Sequence, residues 1–352
     1  MAKAKTKKEE ETVEVSEEAK EIKEEEKEVK KEYSVTDLPG VGPAVAAKLE
    51  NAGYADLMSL AVLSPSQLSD ISGVTEVVAR KAILAARNIL NLGFQDASQY
   101  LKKRAETIKI TTGCSNIDNL IGGGVETRAL TETYGAYGSG KTQLAHQLAV
   151  NVQLPLNKGG ANAKAVYIDS EGTFRPERIK QMAEGAGIDP EVALKNIMIA
   201  RAFNSDHQIL LVEKVADLIK EGANIKLVIV DSLTSHFRAE FTGRGQLADR
   251  QQKLNKHMHN LAKLAEQFNL AVYITNQVMA NPAMMFGDPT SPIGGHIVGH
   301  ASTFRLYLRA GRKGSRVAKL IDSPNLPEGE TVFFVTTHGL INEEEKPKDK
   351  EK

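Results

Sequence analysis

The stretch 135–142, GAYGSGKT, constrains the fold of this chain more than any other segment. It fits the pattern G-x-x-x-x-G-K-[ST] and lies between a strand-like run, 129–134, and a helix-like run, 143–153. Glycines let successive backbone N–H groups converge on phosphate oxygens, and the positive end of the following helix adds to the field. The pattern predicts a nucleoside triphosphate site, whereas the alternative is a chance match in a glycine-containing turn.

The residues of this stretch have distinct expected roles. Lys141 is expected to neutralise the β and γ phosphates, and the Thr142 hydroxyl is expected to hold Mg²⁺. The predicted nucleotide-binding residues here are Gly135, Ala136, Tyr137, Gly138, Ser139, Gly140, Lys141, Thr142 and Gln143.

Composition limits the class of protein. The chain has 352 residues, enough for a large domain and a smaller one, and its 41% hydrophobic content supports a packed core. No apolar run is long enough to span a bilayer, and the charged N-terminus lacks the apolar region of a secretory signal. We therefore expect a soluble cytoplasmic protein with no membrane partner. The single cysteine, Cys114, excludes an internal disulfide and a multi-cysteine metal site.

Both ends of the chain are rich in charge. Residues 1–32 contain nine Lys and twelve Glu with almost no apolar residue, a composition that predicts a disordered tail. A second charged tail is expected at 342–352. The formal net charge of the whole chain is zero, so any argument for a nucleic-acid partner rests on local arrangement.

Residues 33–92 predict a small all-α domain. LPGVGP at 38–43 opens one helix, and ISGVT at 71–75 opens a second. Each unit resembles a helix-hairpin-helix element, whose glycine turn can present backbone N–H groups to a phosphate. The second copy has only one of the two glycines, so we expect it to pack rather than bind. An ordinary helical bundle without a ligand is the alternative.

Residues 93–107 are predicted to link this domain to the core. They contain an isolated aromatic residue, Phe94, and a small residue, Ala97, three positions later. An exposed Phe is suited to docking in a neighbour's pocket, whereas the alternative is that it packs on its own domain.

Residues 108–341 alternate strands with helices, which indicates a mainly parallel sheet flanked by helices. After His300 the pattern changes to paired strands, so antiparallel strands are expected near the C-terminus. The expected strands are 165–170, 197–202, 226–231, 271–276, 304–309, 316–322 and 331–336, and the expected helices include 208–222 and 247–268.

Several polar residues follow predicted strands, as nucleotide hydrolysis requires. Asp231 ends LVIVD, where a carboxylate can orient Mg²⁺, although it could equally cap a helix. Glu171 can polarise a water for attack on the γ-phosphate, or it is a plain surface residue. Gln277 ends AVYITNQ, where an amide can sense the γ-phosphate. Arg178 can stack on a base, pair with a phosphate, or form a surface salt bridge.

Local charge suggests a polyanion as partner. Six Lys or Arg and no acidic residue lie between Arg305 and Lys319, which predicts a positive patch on a hairpin. Arg238 and Arg244 bracket a second, glycine-containing loop, where Phe241 could stack on a base. A solvated basic face is the alternative.

The order of the motifs indicates a family. The chain closely resembles the archaeal RadA recombinases and their eukaryotic strand-exchange relatives in GAYGSGKTQLAHQLAV, YIDSEGTFRPER, LVIVDSLTSHFRAEF, YITNQV, PIGGHIVGHAS and LIDSPNLPEGE. The likeness covers about 35–341. It implies a RecA-like P-loop ATPase core behind a helix-hairpin-helix domain. It also implies a DNA-dependent ATPase that uses ATP and Mg²⁺, forms filaments on single-stranded DNA and catalyses homologous pairing and strand exchange in recombinational repair.

The resemblance assigns roles around the nucleotide. Glu171 matches the catalytic glutamate and Asp231 the magnesium-site aspartate, which join Lys141, Thr142 and Gln277 as the implied catalytic set. Arg178 matches the adenine-contacting position. Further residues match positions at which a neighbouring subunit meets the nucleotide: Tyr137, His300, Asp322, Ser323 and Pro324.

The resemblance also implies contacts with DNA and with other copies of the chain. Loop one maps to 238–245 and loop two to 278–296, with the implied DNA-binding residues Arg238, Arg244, Gly245, Met284, Met285, Phe286, Gly294 and Gly295. Phe94 and Ala97 match a Phe-x-x-Ala polymerisation motif, which replaces the interpretation that Phe94 packs on its own domain. The implied oligomerisation residues are Phe94, Ala97, Tyr137, Ala200 and Ala202.

The implied partners are single-stranded DNA, homologous double-stranded DNA, further copies of the chain in a filament or ring, and recombination mediators, in a nucleoid-associated location. Tyr137 departs from the Phe often found at its position in this family, and its hydroxyl needs a partner. The alternative function is an ATP-switched DNA-binding scaffold or mediator filament with little strand exchange.

Overall fold

The computed structural model describes residues 33–342 apart from 53, 55–56, 91, 95 and 281–289. The charged tails expected at 1–32 and 342–352 lie outside the described residues, apart from residue 342. The chain forms two compact units that divide between Gln99 and Tyr100, within the predicted linker. Among the described residues, no helix combines the length and apolarity needed to cross a membrane.

The N-terminal unit is all-helical. Ser64 begins one of its helices with a capping box that it shares with Gln67, and Leu49, Leu60 and Leu68 are fully buried in its core. Its helices are α1 (Pro43–Asn51), α2 (Leu57–Ala61), α3 (Pro65–Ser72) and α4 (Glu76–Ile89), and α5 (Ala97–Arg104) begins before the division between the units.

The two glycine turns of this unit begin their helices differently. Gly42 precedes α1 and provides no side-chain cap, so the first turn of α1 has no side-chain acceptor from that position. Thr75 stands at the same place before α4, and its hydroxyl accepts a hydrogen bond from the Val78 N–H at 3.5 Å. The second turn is therefore capped from within the chain, which agrees with a packing role for it.

The C-terminal unit is built on one nine-stranded sheet. Its strands are β3 (Leu130–Tyr134), β4 (Lys164–Asp169), β5 (Ile197–Arg201), β6 (Ile225–Asp231), β7 (Ala271–Asn276), β10 (Phe304–Ala310), β11 (Arg316–Asp322), β12 (Gly329–Thr336) and β13 (Gly339–Ile341). Two short ribbons accompany it: β1 (Lys109–Ile110) pairs with β2 (Val125–Glu126), and β8 (Val278–Ala280) pairs with β9 (Thr290–Pro292).

The sheet is parallel over six strands and antiparallel at one end. The strand order is β13-β12-β11-β10-β3-β7-β6-β4-β5, and the strands from β10 to β5 run parallel. The α/β fold class, with antiparallel strands near the C-terminus and a helix-hairpin-helix domain before it, is confirmed. Asp169 lies beside Asp231 in register, so their strands end at the same sheet edge.

Helices cover both faces of the sheet, and alternate residues of each central strand enter different layers. Tyr167 packs in one layer with α7, whereas Val166 and Ile168 pack in the other. The helices of this unit are α6 (Ser115–Leu120), α7 (Lys141–Asn151), α8 (Pro176–Ala186), α9 (Pro190–Lys195), α10 (Ser205–Lys220), α11 (Ser235–Glu240), α12 (Leu247–Phe268) and α13 (Gly295–Ala301).

Some element boundaries differ from those expected. The helix expected at 143–153 begins two residues earlier, because α7 starts directly after Gly140. The helix expected at 208–222 begins at Ser205, where the Asn204 side chain accepts a hydrogen bond from the His207 N–H. The segment expected to form loop two, 278–296, begins with β8, which pairs with β9 further along it.

One buried histidine makes stability depend on pH. Burial lowers the pKa of His257, on α12, from 6.5 to about 4. The unfolded chain takes up this proton as the pH falls through about 6.5, while the folded chain does not until about pH 4. We expect the free energy of unfolding to fall by up to about 3 kcal/mol between these pH values.

Urea unfolding at pH 7 and pH 4.5 measures this loss. His257→Gln should reduce the pH dependence, whereas the same substitution at exposed His259, two residues along α12, should leave it unchanged. An equal pH dependence in His257→Gln and the wild type would contradict this assignment.

Candidate functional site

The glycine-rich stretch forms a tight loop between β3 and α7. Gly140 precedes α7 with φ of +104°, a backbone conformation that favours glycine, and offers no side-chain cap. A Cβ on Gly135 would lie 2.0 Å from the carbonyl oxygen of Leu308. Both glycines are therefore required by the backbone, and the first N–H groups of α7 remain available to an anion.

A cavity of about 900 Å³ lies against this loop. It is large enough for a nucleotide, because ligand sites typically occupy about 300–1,000 Å³. The predicted site residues that line it are Gly135, Ala136, Tyr137, Gly138, Gly140, Lys141, Thr142, Gln143, Glu171, Arg178, Asp231 and Gln277. Thus the cavity gathers the predicted nucleotide-binding and catalytic residues apart from Ser139, which is buried, and the predicted subunit-boundary contacts His300, Asp322, Ser323 and Pro324.

Lys141 lies folded along the phosphate loop. Its Nζ donates to the carbonyl oxygens of Gly135 at 2.8 Å and Ala136 at 3.0 Å. Burial lowers the pKa of Lys141, and the charges of Asp231 and Glu171 oppose that shift. An anionic ligand on the loop would offer the ammonium a stronger acceptor than these neutral carbonyls.

The carboxylate of Asp231 is buried and held by the strands on either side of β6. Its Oδ2 accepts a hydrogen bond from the Tyr167 hydroxyl at 2.6 Å, and its Oδ1 accepts one from the Thr275 hydroxyl. These two bonds fix the carboxylate at the wall of the cavity.

Glu171 is held at the opening of the same cavity. Its Oε1 accepts hydrogen bonds from Ser232 Oγ at 2.7 Å and from Gln277 Nε2 at 2.6 Å. Gln277 is the residue between β7 and β8, so its amide joins this carboxylate to the start of loop two. Glu171 is thus an exposed residue whose carboxylate is bonded to the strand ends around the cavity.

Asp169, at the end of β4, organises the turn that carries Glu171, and it was not among the predicted residues. Its Oδ1 accepts hydrogen bonds from the N–H groups of Glu171, Gly172 and Thr173 at 3.0, 2.7 and 3.2 Å. Its Oδ2 accepts one from the Phe174 N–H at 3.2 Å. The sequence did contain a signal for this role of Asp169. It ends a predicted strand directly before Ser-Glu-Gly, and an Asp side chain readily accepts hydrogen bonds from the backbone of a following turn.

His146 connects the phosphate-loop helix to the same turn. Its Nε2 accepts a hydrogen bond from the Arg175 N–H at 3.1 Å, so its Nδ1 carries the proton and donates to the Thr142 carbonyl at 2.6 Å. Burial lowers the pKa of His146, which keeps the ring in this neutral form. The ring also stacks on Phe174, with centroids 5.2 Å apart.

Two arginines border the cavity. Arg178 donates to the carbonyls of Thr336 and Thr337 and to Gln143 Oε1, so its guanidinium joins α8 to the turn after β12. Arg316 was not predicted here, yet it lines the cavity and donates through Nε to the Gly138 carbonyl at 2.9 Å. No local sequence pattern could reveal Arg316, since only the sheet brings β11 beside the loop.

The predicted positive patch on the β10–β11 hairpin is smaller than expected, and this is a correction. Arg305 donates to Glu132 at 2.8 Å, and Arg309 pairs with Glu330 at 3.1 Å. The acids come from β3 and β12, which lie beside the hairpin in the sheet but not in sequence. The run of basic residues in the sequence therefore gave no sign that two of its arginines are paired with acidic residues.

The predicted DNA-binding residues lie in two regions. Arg238 is exposed in the last turn of α11, and Gly245 is exposed in a short 3₁₀ turn (Arg244–Gln246). Gly294 and Gly295 have positive φ at the start of α13. Phe241 packs under the Lys253 ammonium, 5.4 Å from its ring centroid. Met284, Met285 and Phe286 lie outside the described residues.

The predicted subunit-contact residues are mostly on the surface. Phe94 and Tyr137 are fully exposed. His300 is exposed and stacks on His296, with centroids 5.7 Å apart. Neither His300 nor the segment Asp322, Ser323 and Pro324 lines the cavity of its own chain.

The strand β5 forms one edge of the sheet, and a depression of about 340 Å³ lies between it and α10. Ile199 and Phe203 are largely exposed there. Ala202 is fully buried, so Ala200 is the one of the two predicted alanines that lines the depression. Its apolar lining is Val166, Ile168, Met198, Ile199, Ala200, Leu211, Val215 and Leu218.

Comparisons with known proteins agree with this geometry. Residues 103–343 match the family model described as Rad51. The chain belongs to the Rad51 family. Residues 33–88 of this Rad51-family chain match the model described as a SAM-like helix-hairpin-helix tandem. The chain is 54% identical over 310 residues to the DNA repair and recombination protein RadA of Aeropyrum pernix, an alignment covering 88% of this chain and 97% of that protein.

Members of the Rad51 family use ATP with Mg²⁺, bind DNA and form filaments. The residues of this chain fit a hard cation, because the Thr142 hydroxyl and the Asp231 carboxylate both line the cavity and oxygen is the ligand atom that Mg²⁺ prefers. Within the described part of the chain, no group of three His, Cys, Asp or Glu could hold a metal unaided.

The turn around Asp169 should determine how well Glu171 is placed. Asp169→Asn replaces one acceptor oxygen by an N–H₂ group that faces backbone donors, so the turn should shift. We expect ATP turnover to fall about 10- to 100-fold, the usual cost of a small misplacement of a catalytic group.

A coupled ATPase assay with thermal unfolding tests this expectation. Asp189→Asn is the matched control, because Asp189 Oδ1 likewise accepts two backbone N–H groups but caps α9 outside the cavity. Equal turnover in the two variants would contradict a positioning role for Asp169.

Proposed function

We propose that this chain is a DNA-dependent ATPase that assembles on single-stranded DNA and catalyses homologous pairing and strand exchange. The observation that carries this proposal is the position of Gln277. Its side chain bonds Glu171 at the cavity, and its backbone leads directly into β8 of loop two. A nucleotide-dependent shift of one side chain can therefore reach a DNA-binding loop.

The phosphate loop supports binding of the ATP phosphates. Gly138, Gly140, Lys141 and Thr142 line the cavity where α7 begins, and the first N–H groups of a helix lack helical partners. Lys141 supplies the cation of the loop. In the bound state, the Lys141 ammonium would exchange its hydrogen bonds to the neutral carbonyls of Gly135 and Ala136 for bonds to charged phosphate oxygens, which are stronger acceptors. Arg178 lines the same cavity and is the group proposed to contact the base.

Glu171 is the proposed catalytic carboxylate. Hydrogen bonds from Ser232 and Gln277 reach only its Oε1, which leaves Oε2 to orient a water towards the γ-phosphate. Thr142 and Asp231 are the proposed holders of Mg²⁺, which would neutralise charge on the phosphates when bound. Tyr167 and Thr275 keep the Asp231 carboxylate at that position.

The polymerisation proposal is supported by a matching pair of surfaces. Phe94 is an exposed aromatic residue, and the depression beside β5 is lined by eight apolar residues together with Lys214, Asp217 and Glu221. Inserting a neighbour's Phe94 there would remove its ring from water, a gain of about 1.5–3 kcal/mol. Through such contacts Tyr137, His300 and the segment from Asp322 to Pro324 are proposed to meet the nucleotide at subunit boundaries.

Loops one and two are the proposed DNA-binding segments. The exposed residues Arg238, Gly245 and Gly295 support contacts to phosphate oxygens through a side-chain cation and accessible backbone, whereas Gly294 is buried and is assigned by its sequence alone. Arg244 and the central residues of loop two, Met284, Met285 and Phe286, are assigned by their sequence alone. Recombination mediators stay a proposed class of partner.

ATP turnover with and without single-stranded DNA tests the nucleotide assignment. The wild type should accelerate when DNA is added. Glu171→Gln should still bind ATP but turn it over about 10²- to 10⁴-fold more slowly in both conditions, because a positioned acid or base usually contributes that factor. Rapid turnover by Glu171→Gln would remove Glu171 from the catalytic role.

A strand-exchange assay separates recombinase from scaffold. Single-stranded DNA should exchange with a homologous duplex and fail to exchange with a heterologous one. A scaffold or mediator filament would coat the DNA in the presence of ATP and show no exchange with either duplex, and that result would overturn the proposal.

Phe94→Glu should produce a folded protein that binds ATP but does not form filaments, because an unpaired charge cannot enter an apolar pocket without a large penalty. Analytical ultracentrifugation measures the assembly. Leu84→Glu, an exposed leucine on α4, is the matched control and should sediment like the wild type. Unchanged sedimentation of Phe94→Glu would show that another contact drives assembly.

A further inference from the structure

The end of β7 carries three consecutive polar residues that point to alternate faces of the sheet. Thr275 and Gln277 point to the nucleotide face, where they bond Asp231 and Glu171. Asn276 points to the opposite face and is fully buried. The nucleotide site does not account for Asn276, although it lies between two residues of that site.

The Asn276 side chain makes three short hydrogen bonds. Its Nδ2 donates to Glu132 Oε1 at 2.8 Å and to the Ile293 carbonyl at 2.6 Å. Its Oδ1 accepts a hydrogen bond from the Thr234 hydroxyl at 2.7 Å. Both amide hydrogens therefore have acceptors, and the orientation of the amide is fixed by its partners.

Glu132 provides a rigid anchor for this amide. It is fully buried in β3, directly beside Arg305 of β10 in register, and its Oε2 accepts from Arg305 Nε at 2.8 Å. A buried carboxylate needs both a counter-charge and hydrogen bonds, and Arg305 with Asn276 supplies them. The Arg305 guanidinium also lies over the Tyr134 ring, 5.4 Å from its centroid. The ion pair of Glu132 and Arg305 is therefore held in the middle of the sheet.

The other two partners of Asn276 are the roots of the two loops. Thr234 immediately precedes α11, which leads into loop one, and Ile293 immediately precedes Gly294 at the end of loop two. Both loops are thus bonded to one buried side chain that is itself bonded to the centre of the sheet.

We propose that Asn276 is a positioning residue that holds the roots of loop one and loop two in a fixed relation for binding single-stranded DNA. This inference rests on the proposed function, because it takes these loops as the DNA-binding segments. Gln277 links the nucleotide to loop two only. Asn276 links the two loops to each other, so that a displacement of the β7 end moves both roots together.

Two variants break one link each without creating a cavity. Thr234→Val keeps the side-chain shape and removes the hydroxyl that bonds Asn276. The exchange Glu132→Gln with Asn276→Asp conserves the net charge, lets the new amide at 132 donate to the new carboxylate at 276, and keeps an acceptor for Arg305 and for Thr234. It removes the donor to the Ile293 carbonyl and places a carboxylate oxygen against that carbonyl, so this link is broken.

Each variant is titrated with an oligothymidylate while ATP turnover is followed, and thermal unfolding is measured alongside. We expect the DNA concentration that gives half-maximal stimulation of ATP turnover to rise about tenfold in each variant, because each loses one buried hydrogen bond. Turnover without DNA should match the wild type. Combining the two changes should cost less than the sum of the separate effects, since they act through one side chain.

Two results would overturn the inference. Unchanged DNA dependence in both variants shows that the loop roots are positioned by other contacts. A loss of DNA-free turnover equal to the loss of DNA stimulation shows that Asn276 acts on the nucleotide site instead. If the wild type itself shows no stimulation by DNA, the proposed function fails, and that outcome is distinct from either of these.

Discussion

The hydrogen bonds that hold the Asp231 carboxylate depend on three parallel strands ending side by side. Tyr167 from β4 and Thr275 from β7 bond it from opposite sides of β6. Because all three groups are buried, breaking either bond would leave a polar atom without water to replace its partner. The position of the phosphate loop, the Glu171 turn and Gln277 all follow from this shared edge, since each begins where one of these strands or β3 ends.

The same edge serves two faces of the sheet. Residues on the nucleotide face contact the phosphate loop through α7, while the opposite face bears a buried polar cluster built on Glu132, Arg305 and Asn276. Because successive side chains of a strand point to opposite faces of the sheet, residues at the end of β7 make hydrogen bonds on both faces. Thr275 and Gln277 therefore bond groups of the cavity, while Asn276 between them bonds Thr234 and Ile293 on the opposite face.

Several residues predicted to contact a neighbouring subunit lie on the surface, and not all of them line the cavity of their own chain. Tyr137 is exposed on the phosphate loop, and His300 and Asp322 do not line the cavity of their own chain. The edge strand β5 leaves backbone groups and apolar side chains such as Ile199 exposed, and natural proteins usually cover such an edge. The proposed assembly with further copies is one way to cover this edge.

Sequence alone determined the phosphate loop, the strand-end positions of Asp231, Glu171 and Gln277, and the α/β class, because each depends on local spacing and period. It did not reveal that Asp169 organises the Glu171 turn, that Arg316 lines the cavity, or that Glu132 neutralises Arg305. These pairings join residues on different strands, and their contacts are set by strand order and register. Only the tertiary structure decides which buried side chains meet, since the low-polarity interior forces each polar group to find a partner that no sequence neighbour supplies.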